Sequence, residues 1–384
     1  MVPFQYNVRS LLVRRVTTFA TAFGITLVVF VFAATLMLLA GIKRALTSAG
    51  RPDTVVILRK GSDAELSSSI ANDNLGLFRG PAQVAQGSGV IGEIVEVIAG
   101  EHIDGSGMSN VMIRGTPPDG IAFRPEIAIT GGRAPRPGTN EVMVGRAISG
   151  RFRGIAPGQS FDLRRNRPLQ VVGEFSADGS SYESEVWGDL DVIRNSVGRQ
   201  ANVSSARVRL TSAAEFDAYR QAIEGDKRFS MKAMREADYY EKQSQGISVF
   251  LGVMGIGIAV LFALAAMIGA AITMNGAVAH RSREIGTLRA LGFSRLSILA
   301  SFLIEAVVLS VLGGLVGSVL VLLLTLVRFP IINFQTFSEI VITFRATPGV
   351  FILALGFSGI MGLVGGLIPA IRASRVSPVE AMRG

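Results

Sequence analysis

The sequence of 384 residues predicts a membrane α-helical bundle of four transmembrane helices, with a mixed α/β extracytoplasmic domain inserted between helices 1 and 2. Two observations predict this fold class. Four apolar segments are each long enough to cross a bilayer core of ~30 Å, which takes about 20 residues of helix. Between the first two segments lies a long polar stretch, so the apolar residues are segregated while the mean hydropathy of the whole chain is +0.44.

The predicted organisation follows the chain in nine segments. We expect a cytoplasmic N-terminal elbow at 1–15, transmembrane helix 1 at 16–40, the extracytoplasmic (periplasmic) α/β domain at 41–245, transmembrane helix 2 at 246–274, a cytoplasmic loop at 275–295, transmembrane helix 3 at 296–327, a short outer loop at 328–346, transmembrane helix 4 at 347–371 and a cytoplasmic tail at 372–384. The first apolar run has about 25 residues, beyond the ~7–15 of a signal-peptide core, which favours a membrane helix over a cleaved leader.

Basic residues predict the orientation of these helices. They precede the first apolar segment, fill the loop between the second and third, and follow the fourth: Arg9, Arg14, Arg15, His280, Arg281, Arg283, Arg289, Arg295, Arg372, Arg375 and Arg383. The positive-inside rule therefore predicts that both termini are cytoplasmic and that the α/β domain lies on the far side. We interpret the formal charge of +9 as this topology signal and expect no nucleic-acid partner, because no aromatic-basic or zinc pattern accompanies it.

The inserted domain is predicted to hold many short strands. Runs rich in Val and Ile, bounded by Gly, Pro or Asp, occur at 54–58, 90–98, 111–114, 141–144, 159–163, 169–175 and 204–210. Helices are predicted at 213–224 and 234–245, and the second of these continues into transmembrane helix 2. The sequence contains no cysteine, so this domain is expected to fold without disulfides.

Signals of catalysis are weak, and we predict that the chain is not an enzyme. The two histidines, His102 and His280, are predicted to lie on opposite sides of the membrane, which excludes a histidine-paired triad or a multi-histidine metal site within one copy. No glycine-rich phosphate loop precedes any lysine, so ATP binding of that type is not expected. We therefore predict neither a metal site nor a cofactor in this chain.

The cytoplasmic loop carries the most informative pattern. Residues 277–291 are predicted to form a short helix that ends at Gly292, with Ile285, Leu288 and Leu291 on one side. A helix of this length is not stable alone and has to pack on something. Two interpretations are open: an interfacial elbow at the lipid headgroups, or a helix that docks on a partner protein.

The apolar segments contain two further features. Glu305 is their only ionisable residue, and its burial costs at least ~2.5 kcal/mol unless it is paired, protonated or near the interface. It is interpreted either as a ligand or proton site or as a structural anchor bonded near the inner interface. Small residues at a spacing of four predict close helix packing, and we name Gly313, Gly317, Gly362 and Gly366 as helix-packing residues.

Several motifs resemble those of a known family. "REIGTLRALGFSR", which begins at Arg283, resembles the coupling helix of the MacB-like permeases of ABC transporters, a class that includes the lipoprotein-releasing permeases and FtsX. The resemblance extends to both ends and to the inserted domain, in "NVRSLLVRR", "GGRAPRPGTNEVMVGRAIS", "PLQVVGEF" and "GLIPAIRASRVSPVEAMRG". The layout of one helix followed by a large domain and three helices also resembles this family.

The resemblance implies a multi-pass permease subunit of the bacterial inner membrane without a fused ATPase. It implies a homodimer and a separate ABC-type ATP-binding subunit, which binds ATP and Mg. It is also compatible with a periplasmic adaptor protein as a further partner. Membrane lipid is the remaining expected partner. The resemblance also implies mechanotransmission, in which ATP-driven movement at the cytoplasmic helix reaches the outer domain. The residues that would contact the ATPase are Arg283, Glu284, Ile285, Gly286, Leu288, Arg289, Ala290, Leu291 and Gly292.

Three functions are compatible with this resemblance. The first is export or extraction of a substrate from the periplasm or outer leaflet. The second is lipoprotein release, which usually uses a pair of different permeases. The third is FtsX-like transmembrane signalling that activates a cell-wall hydrolase. The inserted domain of about two hundred residues argues against this third function, since the outer domains of FtsX are smaller.

Overall fold

The structure is a computed structural model that describes residues 15–47, 50–87, 89–226, 230–333 and 336–377. The predicted N-terminal elbow and the end of the predicted cytoplasmic tail lie outside these residues. The chain divides into two compact units. We call them the helical unit (Met1–Ala40, Val249–Val327 and Thr343–Gly384) and the α/β unit (Gly41–Ser248 and Arg328–Ile342).

The helices are numbered here in chain order. They are α1 (Arg15–Thr47), α2 (Asn74–Phe78), α3 (Leu190–Ser196), α4 (Phe216–Glu224), α5 (Glu236–His280), α6 (Ser282–Ala290), α7 (Arg295–Leu320) and α8 (Pro348–Ser374). Within the described part of the chain, four helical segments are long and apolar enough to cross a membrane: Thr18–Leu46 in α1, Ser248–His280 in α5, Arg295–Leu326, which is α7 extended by a 3₁₀ segment at Val321–Leu326, and Pro348–Ser374, which is α8. This confirms the predicted set of four apolar helices.

The helical unit is held together by close packing between these helices. Its buried apolar cluster draws on α1, α5 and α8 and includes Val29, Met37, Ala263 and Ala354, each of which is almost fully buried. Thr26 on α1 donates a hydrogen bond from its hydroxyl to the carbonyl oxygen of Gly313 at 3.0 Å. Such direct contact with backbone requires small residues at the helix interface.

The strands are likewise numbered in chain order. They are β1 (Thr54–Arg59), β2 (Ile70–Ala71), β3 (Val90–Glu101), β4 (Met108–Thr116), β5 (Ala128–Gly132), β6 (Glu141–Gly145), β7 (Ser160–Arg164), β8 (Arg167–Ser176), β9 (Glu185–Asp189), β10 (Asn202–Val203), β11 (Ser205–Arg209), β12 (Met231–Arg235), β13 (Arg328–Ile332) and β14 (Glu339–Thr343). Each of the seven predicted strand regions overlaps one of these strands.

The α/β unit is built on one mixed sheet. Its strand order is β12-β1-β11-β3-β4-β9-β6-β8-β5, with β7 paired to β8, and the pairs β4/β9 and β6/β8 are parallel. Its apolar core includes Ile57, Ile94, Val144 and Val208 from four different strands, together with Tyr219 from α4. The mixed α/β character predicted for the inserted domain is therefore confirmed.

Three details differ from the prediction. The helix expected at 234–245 begins only at Glu236, because Met231–Arg235 pairs with β1 as an edge strand. The predicted start of the short helix, expected at 277–291, was wrong. Helix α5 continues to His280, the backbone leaves helical geometry at Arg281, and α6 begins at Ser282.

The third difference concerns the predicted short outer loop at 328–346. Most of it forms the hairpin β13–β14, which belongs to the α/β unit. The amide N–H of Val341 donates to the Ser184 hydroxyl at 3.0 Å. The Glu339 carboxylate pairs with His102 at 3.2 Å and with Arg151 at 2.8 Å. Most of the segment between the third and fourth apolar helices is thus an integral part of the α/β unit.

Candidate functional site: the short helix α6 and its anchor

Helix α6 has well-defined ends, which explains why it forms despite its nine residues. It ends in a Schellman motif, in which the Gly292 N–H donates to the Arg289 carbonyl and the Phe293 N–H to the Leu288 carbonyl, both at 3.2 Å. Gly292 adopts a φ of 93°, a left-handed conformation that glycine tolerates without strain. The side chains of Leu288 and Phe293 pack on the same apolar cluster, as is common for this cap.

One face of α6 is buried against its own chain. Ile285 is only 2% exposed and packs with Val278, Ile298, Phe302, Ala370 and Ala373, which come from α5, α7 and α8. Leu288 is partly buried against the same cluster, whereas Leu291 is 73% exposed. At about 100° per residue, Leu291 lies roughly 120° around the helix from Ile285. The prediction that these residues form one common face was therefore wrong.

The opposite face of α6 is open and mixes charge with apolar surface. The exposed residues among those predicted to contact an ATPase are Arg283, Glu284, Ala290, Leu291 and Gly292, while Arg289 is half-buried and Gly286 is buried. The structure thus divides the predicted residues. Ile285, Gly286 and Leu288 lie on the side of α6 that packs on its own bundle, and Arg289 is intermediate. The exposed residues form the surface: Arg283, Glu284, Ala290, Leu291 and Gly292. Their contact with an ATPase stays a prediction.

Arg281, which lies at the break between α5 and α6, connects this helix to the membrane helices. Its guanidinium pairs with Glu284 on α6 at 3.2 Å and with Glu305 on α7 at 3.4 Å. The guanidinium carbon also lies 5.5 Å from the centroid of the Phe302 ring. Glu305 therefore has a cationic partner at the end of α5, as the structural-anchor interpretation requires.

The four glycines named for helix packing all lie at contacts between helices. A Cβ added to Gly313 or Gly317 would come within 2.9 Å or 2.6 Å of a carbonyl oxygen on α1. A Cβ on Gly362 would meet the Ser310 hydroxyl at 2.5 Å, and one on Gly366 would meet the Cβ of Ala306 at 2.5 Å. The first two glycines therefore face α1, and the other two face α7.

A second cluster, which sequence reasoning missed, lies inside the α/β unit. We call it the charge network: Glu65, Glu93, Arg114, Arg124, Glu185, Arg207 and Glu236, all of them buried. Glu93 is its centre, because its carboxylate lies 3.0 Å from Arg114, 2.7 Å from Arg124 and 2.9 Å from Arg207. Arg114 also pairs with Glu185 at 2.7 Å. A charged residue inside a strand of Val and Ile, as in "VIGEIV" and "VMIRGT", was the signal that could have found it.

The electrostatics of the charge network follow from burial and pairing together. Burial by itself raises the pKa of Glu65, but Arg114 and Arg207 outweigh it and lower that pKa to about 2. The pKa of Glu93 is lowered in the same way by its three arginines. Burial dominates at Glu236, whose pKa is raised. Burial also raises the pKa of Tyr182 to about 12, which keeps its hydroxyl protonated as a donor.

Glu236 gives the charge network its link to a membrane helix, because it is the first residue of α5. Its carboxylate accepts from Arg207 at 2.9 Å, from the Tyr182 hydroxyl at 3.3 Å and from the Arg51 amide at 3.2 Å. Tyr240, one turn further along α5, donates from its hydroxyl to Tyr182 at 2.8 Å. The first turn of α5 is thereby fixed to the sheet of the α/β unit.

No group of three or more His, Cys, Asp or Glu is arranged to hold a metal ion among the residues that the structure describes. The carboxylates of the charge network are instead directed at arginines. Neither the charge network nor α6 therefore presents a metal-ligating arrangement of described side chains.

Comparison with known families matches most of the chain. The MacB-like periplasmic core domain matches residues 17–226, and the FtsX-like permease C-terminal domain matches residues 256–378. The first match alone covers more than half of the chain. The protein belongs to the MacB-like family of ABC transporter permeases, and it is a multi-pass membrane protein.

Curated relatives agree with this assignment. They include the macrolide export ATP-binding/permease protein MacB of Bdellovibrio bacteriovorus, 29% identical over 56% of this chain and 29% of the relative, and the pyoverdine export ATP-binding/permease protein PvdT of Pseudomonas entomophila, 32% identical over 60% and 35%. An uncharacterized ABC transporter permease of Bacillus subtilis, YvrN, is 36% identical over 40% of this chain and 35% of its own length. The chain thus spans about a third of the length of these relatives.

Two solved structures are similar to part of the chain. The extracellular domain of the noncanonic ABC-type transporter YknZ from Gram-positive bacteria has a TM-score of 0.36 and 16% identity, and covers 47% of this chain and 99% of that one. The periplasmic region of MacB from Actinobacillus actinomycetemcomitans has a TM-score of 0.37 and 13% identity, and covers 52% of this chain and 96% of that one.

Proposed function

We propose that the protein is the membrane subunit of an ABC exporter, in which a separate ATP-binding subunit drives movement of the α/β unit on the far side of the membrane. The observation that carries this proposal is α6, a short helix with one face attached to its own bundle and the other face open. ATP and Mg are bound by the partner. The substrate is extracted from the periplasm or the outer leaflet.

The cytoplasmic half of the proposal rests on the packing of α6. Because Ile285 is buried among side chains of α5, α7 and α8, α6 is attached to three membrane helices at once. The open face offers Leu291 as an apolar contact beside Arg283 and Glu284, a combination that suits a cleft in a partner protein.

The outer half of the proposal rests on α5. This helix has 45 residues and extends from Glu236, in the charge network, to His280, next to Arg281. A single helix with both ends fixed to neighbouring side chains is suited to relay a displacement along its axis. The buried ion pair between Glu236 and Arg207 and the pair between Arg281 and Glu305 would then be its two attachments.

Assembly and location follow from the family. We propose a homodimer in the bacterial inner membrane with both termini cytoplasmic, and we include a periplasmic adaptor among its partners because relatives carry the names of macrolide and pyoverdine exporters. The residues of the charge network are buried, and in this scheme they serve as a rigid attachment for α5.

The proposal is tested by Leu291→Asp in the full chain. We expect affinity for the ATP-binding subunit to fall at least about tenfold, because the contact loses an apolar side chain and gains a desolvated charge. Binding is measured by co-purification and by titration of the purified partner in nanodiscs. Leu291 is preferable to Leu288 for this test, since Leu288 also packs inside the chain.

Ile103→Asp is the matched control. Ile103 is 52% exposed in the α/β unit, so the same kind of charge is introduced at an exposed aliphatic residue away from α6. It should bind the partner like the unchanged chain. Undiminished binding and ATP hydrolysis in the Leu291→Asp complex would show that α6 is only an interfacial elbow.

A further inference from the structure

The two ion pairs of Arg281 differ in their exposure to solvent. The side chains of Arg281 and Glu305 are 7% and 16% exposed, whereas Glu284 is 58% exposed. Exposed pairs are weak because solvent and salt screen them, and a pair in a buried setting is costly to break because it leaves an uncompensated charge. Arg281 is therefore held more firmly by α7 than by α6.

The surroundings of Arg281 strengthen this asymmetry. Its guanidinium lies over the ring of Phe302, which is also on α7 and one turn before Glu305. Its backbone N–H donates to the carbonyls of Ala277 and Val278, so the residue still closes the last turn of α5. Arg281 is thus fixed to two membrane helices, while α6 begins at the next residue.

We infer that Arg281, through its pair with Glu305, is the positioning residue that transmits displacement of α6 to the membrane helices. This inference rests on the proposed function. When α6 moves, the exposed pair with Glu284 can break at little cost. The pair with Glu305 then holds the end of α5 in its position against α7, so that the two helices move together. Without that pair, α6 would still bind the ATPase, but its movement would be absorbed by the break at Arg281.

The experiment separates ATP hydrolysis from movement of the outer unit. Because the chain has no cysteine, Met108→Cys, at a residue that is 69% exposed in the α/β unit, gives a single site for a nitroxide label in each copy. The distance between the labels of the two copies is measured by pulsed electron paramagnetic resonance with and without ATP and vanadate. ATP hydrolysis by the same complex is measured in parallel.

We expect Arg281→Gln and Glu305→Gln to retain ATP hydrolysis and to lose most of the ATP-driven shift in label distance. Arg372→Gln is the control, since it removes an exposed guanidinium near the end of α8 that donates to the Asn275 side-chain oxygen at 3.4 Å. It should leave both readouts unchanged. A purely structural role for Arg281 would instead lower assembly, hydrolysis and movement together.

The double variant Arg281→Gln/Glu305→Gln covers the case in which a single variant fails to assemble. With both partners of the buried pair neutralised, no buried charge is left without its partner and only the exposed Glu284 loses a contact, so assembly should return while the movement stays lost. A full shift in label distance in this double variant, or in Glu305→Gln, overturns the inference and leaves the proposed function standing. Absence of any shift in the labelled Met108→Cys chain that keeps both Arg281 and Glu305 overturns the proposed function itself.

Discussion

Glu93 shows how much a single side chain contributes to the stability of the α/β unit. It is fully buried and its carboxylate contacts three guanidinium groups, while its second oxygen accepts from the Thr116 hydroxyl at 3.0 Å. Replacing such a pair by apolar groups can be neutral, but removing one partner leaves buried charge uncompensated. The charge network therefore stabilises the unit only as a complete set.

We predict that Glu93→Gln destabilises the α/β unit by about 3–5 kcal/mol. For a unit of this size, this corresponds to a fall in Tm of at least roughly 6 °C. The measurement is thermal unfolding of the full chain in detergent, followed by the fluorescence of its single tryptophan. That residue, Trp187, is buried and donates to Glu185 of the charge network at 2.8 Å, so its emission reports on this region.

Glu96→Gln is the control, because Glu96 lies on the same strand and pairs with the exposed Arg164 at 3.3 Å. Exposed pairs contribute about 0–1 kcal/mol, so Tm should change by at most a few degrees. Equal Tm values for the two variants would mean that the charge network does not hold the unit together.

At the level of elements, the contact between α1 and α7 depends on two glycines. Lipid supplies no hydrophobic drive for helices to associate, so close backbone approach is what makes this contact favourable. A Cβ at Gly317 would lie 2.6 Å from the Thr26 carbonyl oxygen and 3.2 Å from the Phe30 nitrogen. Both atoms belong to backbone and cannot move aside without moving α1.

We predict that Gly317→Ala weakens the packing of α1 against α7 by about 1–3 kcal/mol, as overpacking typically does. Hydrogen–deuterium exchange should show faster exchange in peptides from both helices. Gly356→Ala on α8 is the control, because a Cβ at Gly356 meets nothing within 4 Å. Unchanged exchange in the Gly317 variant would contradict the close contact between these helices.

For the whole molecule, the distribution of basic residues predicts which parts face the cytoplasm. We expect Ile103→Cys to react with a membrane-impermeant maleimide in intact spheroplasts, and Thr287→Cys to react only after the membrane is permeabilised. The unchanged chain has no cysteine and serves as the blank. Labelling of Thr287→Cys from outside would reverse the orientation and remove α6 from the reach of a cytoplasmic ATPase.

The sequence by itself determined the four apolar helices, the inserted mixed α/β domain and the site of the short helix. Each of these features corresponds to a local sequence pattern. The patterns are apolar runs of membrane length, apolar residues alternating with others in strands such as 169–175, and a glycine at the end of a short amphipathic segment. Such local patterns can be recognised in the sequence because side chains at a regular spacing along one helix or strand face the same environment. The strand regions were predicted for this reason. The start of α6 was misplaced because the break at Arg281 does not change the spacing of the apolar residues.

Tertiary structure alone decided which charges meet. Glu93 and Arg207 are 114 residues apart, and Arg281 and Glu305 are on different helices, so no local pattern pairs them. The tertiary structure also decided that the hairpin β13–β14 belongs to the α/β unit. It decided as well that Ile285 is buried while Leu291 is exposed. The physical reason is that burial and ion pairing depend on what the other elements bring to a position, and that is fixed only when the chain has folded.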